Sequence, residues 1–201
     1  LVSFAVTTGT AEDVVSPEFK KAGHKVFMLK PEYDENGLPD TKSLTDIFEK
    51  VTKLMRGDMV FACYTPTIGG VAEAVMKMCF GNGFGFDYSD KLTVWDIFGY
   101  SYGAFLLETD SDIEGAQFIG TVSENKKITF KDDSIELCEI LGIYEDKLES
   151  VYSCNIKNSG TATETFSYKA EKRYVPGIKA AKPKVLIPAF PGTNCEYDSA
   201  K

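Results

Sequence analysis

The sequence predicts an α+β domain, a mixed sheet layered with helices. Three observations lead there. Strand-like and helix-like segments mix without strict alternation. From Ser43 to Met55 the apolar residues Leu44, Ile47, Phe48, Val51, Leu54 and Met55 recur at helical spacing, opposite Asp46, Glu49, Lys50 and Lys53, and Gly57 ends the segment. Asp58 to Gly85 then holds a complete strand–turn–helix unit. Met59 to Tyr64 is a continuous apolar run of buried-strand length, followed by Thr65-Pro66-Thr67 and the pair Gly69-Gly70. The next residues, Val71 to Phe80, are apolar on nearly every side except at Glu73 and Lys77, a pair four apart with the acid first. That is a helix sunk in a core, and Gly81-Asn82-Gly83 supplies a residue with positive φ to end it.

The totals set bounds. A chain of 201 residues is long enough for one sizeable domain, or a domain with an appendage. A net charge of -8 argues against a nucleic-acid partner, which needs a basic stripe, and no apolar run is long enough to cross a bilayer. The cysteines, Cys63, Cys79, Cys138, Cys154 and Cys195, are odd in number and form no close pair of the zinc or redox kind. The first three lie in apolar surroundings and read as buried thiols, which suits a reducing cytoplasm. Leu1 begins inside a strand-like run with neither a Met nor a signal peptide before it, and Lys201 follows soon after a new strand and helix begin. The sequence therefore reads as a piece of a longer polypeptide.

In order, Leu1 to Val6 reads as a strand. Ser16-Pro17-Glu18 has the signs of a helix start, closed by Gly23, and Lys25 to Leu29 resumes a strand. Pro31 to Lys42 is a polar loop before the amphipathic helix and the central unit. Phe86 to Tyr88 suggests a strand, Trp95, Ile97 and Phe98 packing residues, and Ala104 to Leu107 a buried strand. Phe118 to Val122 and Lys127 to Phe130 flank the turn Ser123-Glu124-Asn125 and read as a hairpin. Ser134 to Val151 reads as a closing helix with Ile135, Leu137, Cys138, Ile140 and Leu141 turned inward. The chain then becomes polar and punctuated, which divides it into a domain at 1–153, a linker at 154–183 and a new element at 184–201. In that last part Lys184 to Phe190 is an apolar strand, Pro191-Gly192-Thr193-Asn194 a turn, and Cys195 to Asp198 a helix start.

The turn before the buried helix has two readings. In one, first-turn N–H groups without helical partners, two glycines that admit a close approach, and the hydroxyls of Thr65 and Thr67 form a phosphate site at Thr65, Thr67, Gly69 and Gly70. In the other, the glycines only allow close packing of helix on strand, and Thr67 caps the helix. Other candidates carry less. Cys195 as a nucleophile needs a strand-to-helix elbow and a His base, and the sole histidine, His24, sits beyond the linker in a polar turn, where it reads as solvated. Glu108, Asp110, Asp112 and Glu114 read as a solvated strand end and not as metal ligands. Gly81, Gly83 and Gly85 follow a helix, so they cannot present its N-terminal amides to a nucleotide. No residue of this chain is assigned a catalytic or metal-binding role.

The tail VLIPAFPGTNCEYDSAK resembles the opening of the glutamine amidotransferase domain fused to the phosphoribosylformylglycinamidine synthases of purine biosynthesis. VVSPEFKKAG with KVFMLKP, TIGGVAEAVMKMCFGNGFGF, IFGYSYGAFLLE, FIGTV and KKITF resemble, in order, the C-terminal half-domain of the aminoimidazole ribotide synthetase superfamily. The chain departs from that pattern at Thr67-Ile68, where many members have Asp or Ser before the glycines, and at Tyr100, where many have Glu. Whether this half holds the reacting or the non-reacting pseudo-symmetric site thus stays open. The resemblance implies a half-domain that pairs with an N-terminal synthetase half and with a glutaminase domain of the same polypeptide. It implies an ATP-dependent C–N ligase whose substrates are formylglycinamide ribonucleotide and glutamine, with Mg²⁺ shielding the transferred phosphoryl group. ATP and Mg²⁺ would be bound mostly outside this piece, which alone would be inactive. Gly192, Thr193 and Asn194 would form a wall of the glutaminase pocket, its nucleophile falling beyond Lys201. Two other classes are a purely architectural docking domain without a ligand site, and a free-standing nucleotide-binding regulatory module.

Overall fold

The structure is a computed structural model that describes residues 4–153, 160, 164–172, 175, 177, 181–182 and 184–201. The chain divides into two compact units, Leu1–Ile156 and Lys157–Lys201. The first is built on a seven-stranded mixed sheet. Third in the sheet lies β1 (Lys25–Leu29), flanked by β4 (Phe105–Thr109) and β5 (Gln117–Ser123), both antiparallel to it. Outside β4 is β2 (Ala62–Tyr64); outside β5 come β3 (Gly85–Tyr88), β6 (Lys127–Phe130) and β7 (Asp133–Glu136), giving the order β2-β4-β1-β5-β3-β6-β7. Only the β3–β6 pair is parallel.

Side-chain alternation along β1 explains both layers. Val26 and Met28 enter one apolar cluster, Phe27 and Leu29 another, so the strand is buried on both faces and its sequence is continuously apolar. The first cluster is closed by α2 (Gly70–Asn82), α3 (Val94–Phe98) and the start of α4 (Leu137–Asp146), through Val71, Val75, Met78, Ile97 and Leu137. The second is closed by α1 (Thr41–Arg56), whose Ile47 and Val51 pack on Phe27, Leu29 and Leu107. These layers are the α+β architecture the sequence predicts. The buried character of α2 and its ending at Gly83, with φ 71°, also follow the sequence.

Several expectations are corrected. Residues 4–6 form no strand, and Phe4 and Val6 are exposed; Leu1 to Ser3 lie outside the described residues. No helix forms after Ser16. Its backbone donors are used elsewhere: Phe19 N–H bonds Met78 O at 2.9 Å, and the N–H groups of Lys20 and Lys21 go to the Glu108 carboxylate. The Phe19 ring, fully buried, stacks on Phe86 at 5.5 Å. Tertiary partners therefore win over a short helix that could make few internal bonds. Helix α1 begins two residues before Ser43, because Asp40 accepts the Ser43 N–H at 2.8 Å as its cap.

The expected hairpin of β5 with β6 does not exist. β3 lies between them, paired antiparallel to β5 and parallel to β6. Phe86 and Tyr88 belong to the same buried face as Val122, Ile128 and Phe130, so inserting β3 closes that face. The hairpin is instead β6–β7, turned at Lys131 with φ 55°, and β7 takes residues expected to open the closing helix. Helix α4 is accordingly shorter than expected, and Cys138 on it is exposed, not turned inward. In α3, Thr93 and Asp96 form a reciprocal capping box; Ile97 is buried, while Trp95 and Phe98 face solvent.

In the second unit, residues 184–190 form no strand; Val185, Leu186 and Phe190 are exposed. An extended apolar segment becomes a strand only when a neighbour takes its N–H and C=O groups. The helix after it does form, as α5 (Glu196–Ala200). The linker expected at 154–183 falls largely outside the described residues.

Candidate functional site

The turn between β2 and α2 contains its own anion. Glu73, one turn into α2, folds back over the helix start. Its Oε2 accepts the Gly69 N–H at 2.9 Å and the Thr67 hydroxyl at 2.6 Å, and its Oε1 pairs with Lys77 Nζ at 2.5 Å. Lys77, then Thr67, then the Gly69 amide hold the carboxyl well below the usual range, at about 2. The pair Glu73–Lys77 read from the sequence is present, though half-buried where an exposed stripe is expected; that the same carboxylate also occupies the turn is not visible from spacing.

Each glycine has a separate reason. A Cβ on Gly69 would lie 2.5 Å from Glu73 Cβ and 2.8 Å from Glu73 Oε2, so the bare backbone is what lets the acid fold back. Gly70 has φ 65°, and a Cβ there would lie 2.7 Å from Gly99 O and 3.0 Å from Ile97 O. It serves the close approach of α2 to the end of α3, a packing role on a helix and not on a strand. Thr67 does not cap the helix with its side chain, since the N-cap residue is Gly69; its hydroxyl instead donates to Glu73, and its carbonyl accepts the Gly70 N–H at 3.0 Å. Thr65 is exposed and has no bond to this group among the described residues. The structure thus brings Thr67 and Gly69 together on one carboxylate and leaves Thr65 and Gly70 outside it.

Gly192, Thr193 and Asn194 sit in the second unit. Gly192 takes φ 88°, Thr193 N–H bonds Phe190 O at 2.9 Å, and Asn194 Oδ1 accepts the Cys195 N–H at 2.9 Å. Their polar groups close a local turn.

A second polar centre departs from what the sequence predicts. Glu108, expected to be solvated, is fully buried, and its carboxylate accepts the N–H of Lys20 at 2.8 Å and of Lys21 at 3.1 Å. His24, expected in solvent, is only 13% exposed; its Nδ1 lies 2.8 Å from Glu108 Oε1 and its ring stacks on Phe61 at 4.6 Å. The group ties the loop before β1 to β4. Asp112 pairs with Lys25 at 2.7 Å. Among the described residues no group of three or more His, Cys, Asp or Glu is placed to hold a metal ion, and no helix is long and apolar enough to cross a membrane.

No sequence-family model matches the chain. Solved structures do. PurL of Thermotoga maritima complexed with AMPPCP superposes with a TM-score of 0.55 at 12% identity, over 64% of this chain and 27% of that one. This chain shares the fold of PurL. Phosphoribosylformylglycinamidine synthase II of the same organism gives 0.54 at 11% identity, over 79% of this chain and 31% of its own. PurLQS, again from T. maritima, gives 0.54 at 10% identity, over 81% and 32%. The chain spans about a third of the length of these PurL structures.

Proposed function

We propose that the chain is one half-domain of an ATP- and glutamine-dependent C–N ligase of the phosphoribosylformylglycinamidine synthase kind. The observation that carries this reading is the fold shared with PurL over 79% of the chain, added to sequence resemblances that run in the same order. Residues 1–153 are the half-domain, 154–183 its linker and 184–201 the opening of the glutaminase. The reacting polypeptide includes an N-terminal synthetase half and a complete glutaminase, working on formylglycinamide ribonucleotide and glutamine. That the neighbouring proteins were solved with ATP, AMPPCP and ADP supports the choice of nucleotide.

The described residues fit ATP and Mg²⁺ poorly. They offer no cluster of metal ligands, and the two donors of the best anion turn already hold Glu73. No phosphoryl step is therefore routed through this chain. Its part is to present Thr67, Gly69 and the start of α2 to a phosphate group, with Thr65 and Gly70 shaping the turn, once Glu73 swings aside toward Lys77. Displacing an intramolecular carboxylate makes such binding weak in the piece alone. Amide NMR spectra of the chain titrated with formylglycinamide ribonucleotide test this: shifts confined to Thr67–Val71, enlarged in Glu73→Gln, are expected. Unmoved resonances in both proteins overturn it. Ammonia release from glutamine by the chain alone would contradict the assignment of the nucleophile outside it.

A docking role without any ligand site is favoured by one observation. On α3, Val94, Trp95 and Phe98 are 63%, 77% and 65% exposed, more apolar surface than a five-residue helix needs to leave in water.

A further inference from the structure

A cavity of about 600 Å³ opens between α2, α3, α4 and the β6–β7 hairpin. Ala72 and Met76 of α2, Ile97 of α3, Ile128 of β6 and Ile140 of α4 give it apolar walls. Its size is that of a small-molecule site. One wall is different: Tyr88, 8% exposed, lines the cavity, and its hydroxyl has no hydrogen-bond partner among the described residues. Its ring is fixed edge-on between Phe86 at 5.0 Å and Phe130 at 6.2 Å, so the side chain is held in place by packing. Burial pushes the phenol well above its ordinary pKa, so it stays neutral also at alkaline pH. A hydroxyl set among apolar walls gains a hydrogen bond from an acceptor that enters beside it, and Ser134 adds a second uncharged polar side chain to the lining. The charged residues that line the cavity, Glu73 and Asp133, are both acidic.

We propose that this cavity binds an uncharged, largely apolar small molecule carrying one hydrogen-bond acceptor, a carbonyl oxygen or a ring nitrogen, which receives the Tyr88 hydroxyl. The apolar walls take the body of the molecule and Tyr88 sets its orientation, while the carboxylates of Glu73 and Asp133 on the lining disfavour an anion as long as Glu73 stays folded over the turn. Gly69 and Glu73 line this cavity and also belong to the α2 turn, but the contact proposed here is made by Tyr88 and the apolar walls and stands whether or not the ligase reading does.

The probe is 6-propionyl-2-(dimethylamino)naphthalene, an uncharged ketone whose emission reports both polarity and hydrogen bonding to its carbonyl. Titration of the full chain is expected to give saturable one-to-one binding with blue-shifted emission. Tyr88→Phe, which keeps the ring, weakens it about 3- to 10-fold. Ala72→Phe fills the space and abolishes it; Ile140→Trp on the opposite wall does the same if the first variant is unfolded by circular dichroism. The anion 1-anilinonaphthalene-8-sulfonate, of similar ring size, binds at least about 10-fold more weakly than the ketone. The proposal is overturned by no saturable binding, by binding that Tyr88→Phe leaves unchanged, by binding that survives both filling variants, or by equal affinity for the sulfonate.

Discussion

Glu73 Oε2 lies 2.9 Å from the backbone nitrogen of Gly69, so the carboxylate of the fourth residue of a helix satisfies the donor that precedes its first turn. The acid also sits in the favourable field of the helix N-terminus. Removing it with Glu73→Ala is expected to lower stability by about 1–2 kcal/mol, the range for loss of a side-chain cap. Urea denaturation followed by circular dichroism measures it; a change within about 0.3 kcal/mol would show the contact to be idle.

The same contact predicts an acid limb. The folded-state value of Glu73, about 2, lies below the ordinary 4.5, so folding favours the ionised form. Its stabilisation is complete above about pH 4.5 and is lost as the pH falls from there toward 2. Glu18, likewise held at about 2 by Lys20 and Ser16, titrates in the same window, so the quantity to measure is the difference between the parent chain and Glu73→Gln. That difference should shrink across the window. A constant difference down to pH 2 would rule the linkage out.

Gly69 and Glu73 should behave as one unit. Gly69→Ala places a Cβ where Glu73 Cβ and Oε2 now lie and expels the acid. Once Glu73 is already Gln or Ala, the same glycine substitution should cost less, and a double-mutant cycle reads the coupling, expected at about 0.5–1.5 kcal/mol. Additive losses would mean the two do not communicate. Gly70→Ala is harsher and independent of Glu73: positive φ together with the carbonyls of Gly99 and Ile97 should cost at least about 2 kcal/mol.

Glu108 is the buried acceptor for two backbone N–H groups on the loop before β1 and lies in contact with the His24 ring there. Glu108→Ala leaves the Lys20 and Lys21 amides and the His24 ring without it, and a loss of about 3–5 kcal/mol is expected. Glu108→Gln keeps an acceptor oxygen and the side-chain volume, and should cost less. If the two variants unfold at the same urea concentration, hydrogen bonding to this carboxylate is not what holds the loop.

The thiols should separate by burial. Burial pushes Cys79 up and Cys63 up to about 11, while Cys138 and Cys195 are exposed. Iodoacetamide at neutral pH should alkylate Cys138 and Cys195 in the folded chain and reach Cys63 and Cys79 only after denaturation, as peptide mass spectrometry would show. Early labelling of Cys79 would contradict the packing of α2.

Local pattern was enough for the elements whose information is local. The apolar stripe of α1, the all-round apolarity of α2, the buried run of β1 and the glycine that ends α2 are each written within a few residues, because helix and strand periodicity and positive φ are properties of neighbours in the chain. The candidate turn was found the same way, through its threonines and glycines. What fills it was not, since Glu73 read equally well as a surface partner of Lys77.

Tertiary structure decided the remainder. Phe118–Val122 and Lys127–Phe130 have the pattern of a hairpin, yet β3 takes the place between them, because strand order depends on which faces must be covered and not on the turn alone. Ser16-Pro17-Glu18 carries helix-start residues, yet its backbone donors go to Met78 and Glu108, far along the chain. His24 and Glu108 look like surface residues until the fold sets one against the other. Residues 184–190 show the converse, a strand sequence that stays unpaired. In each case the outcome turns on which distant group receives a hydrogen bond or covers an apolar face, and that is a property of the assembled sheet that no window of sequence contains.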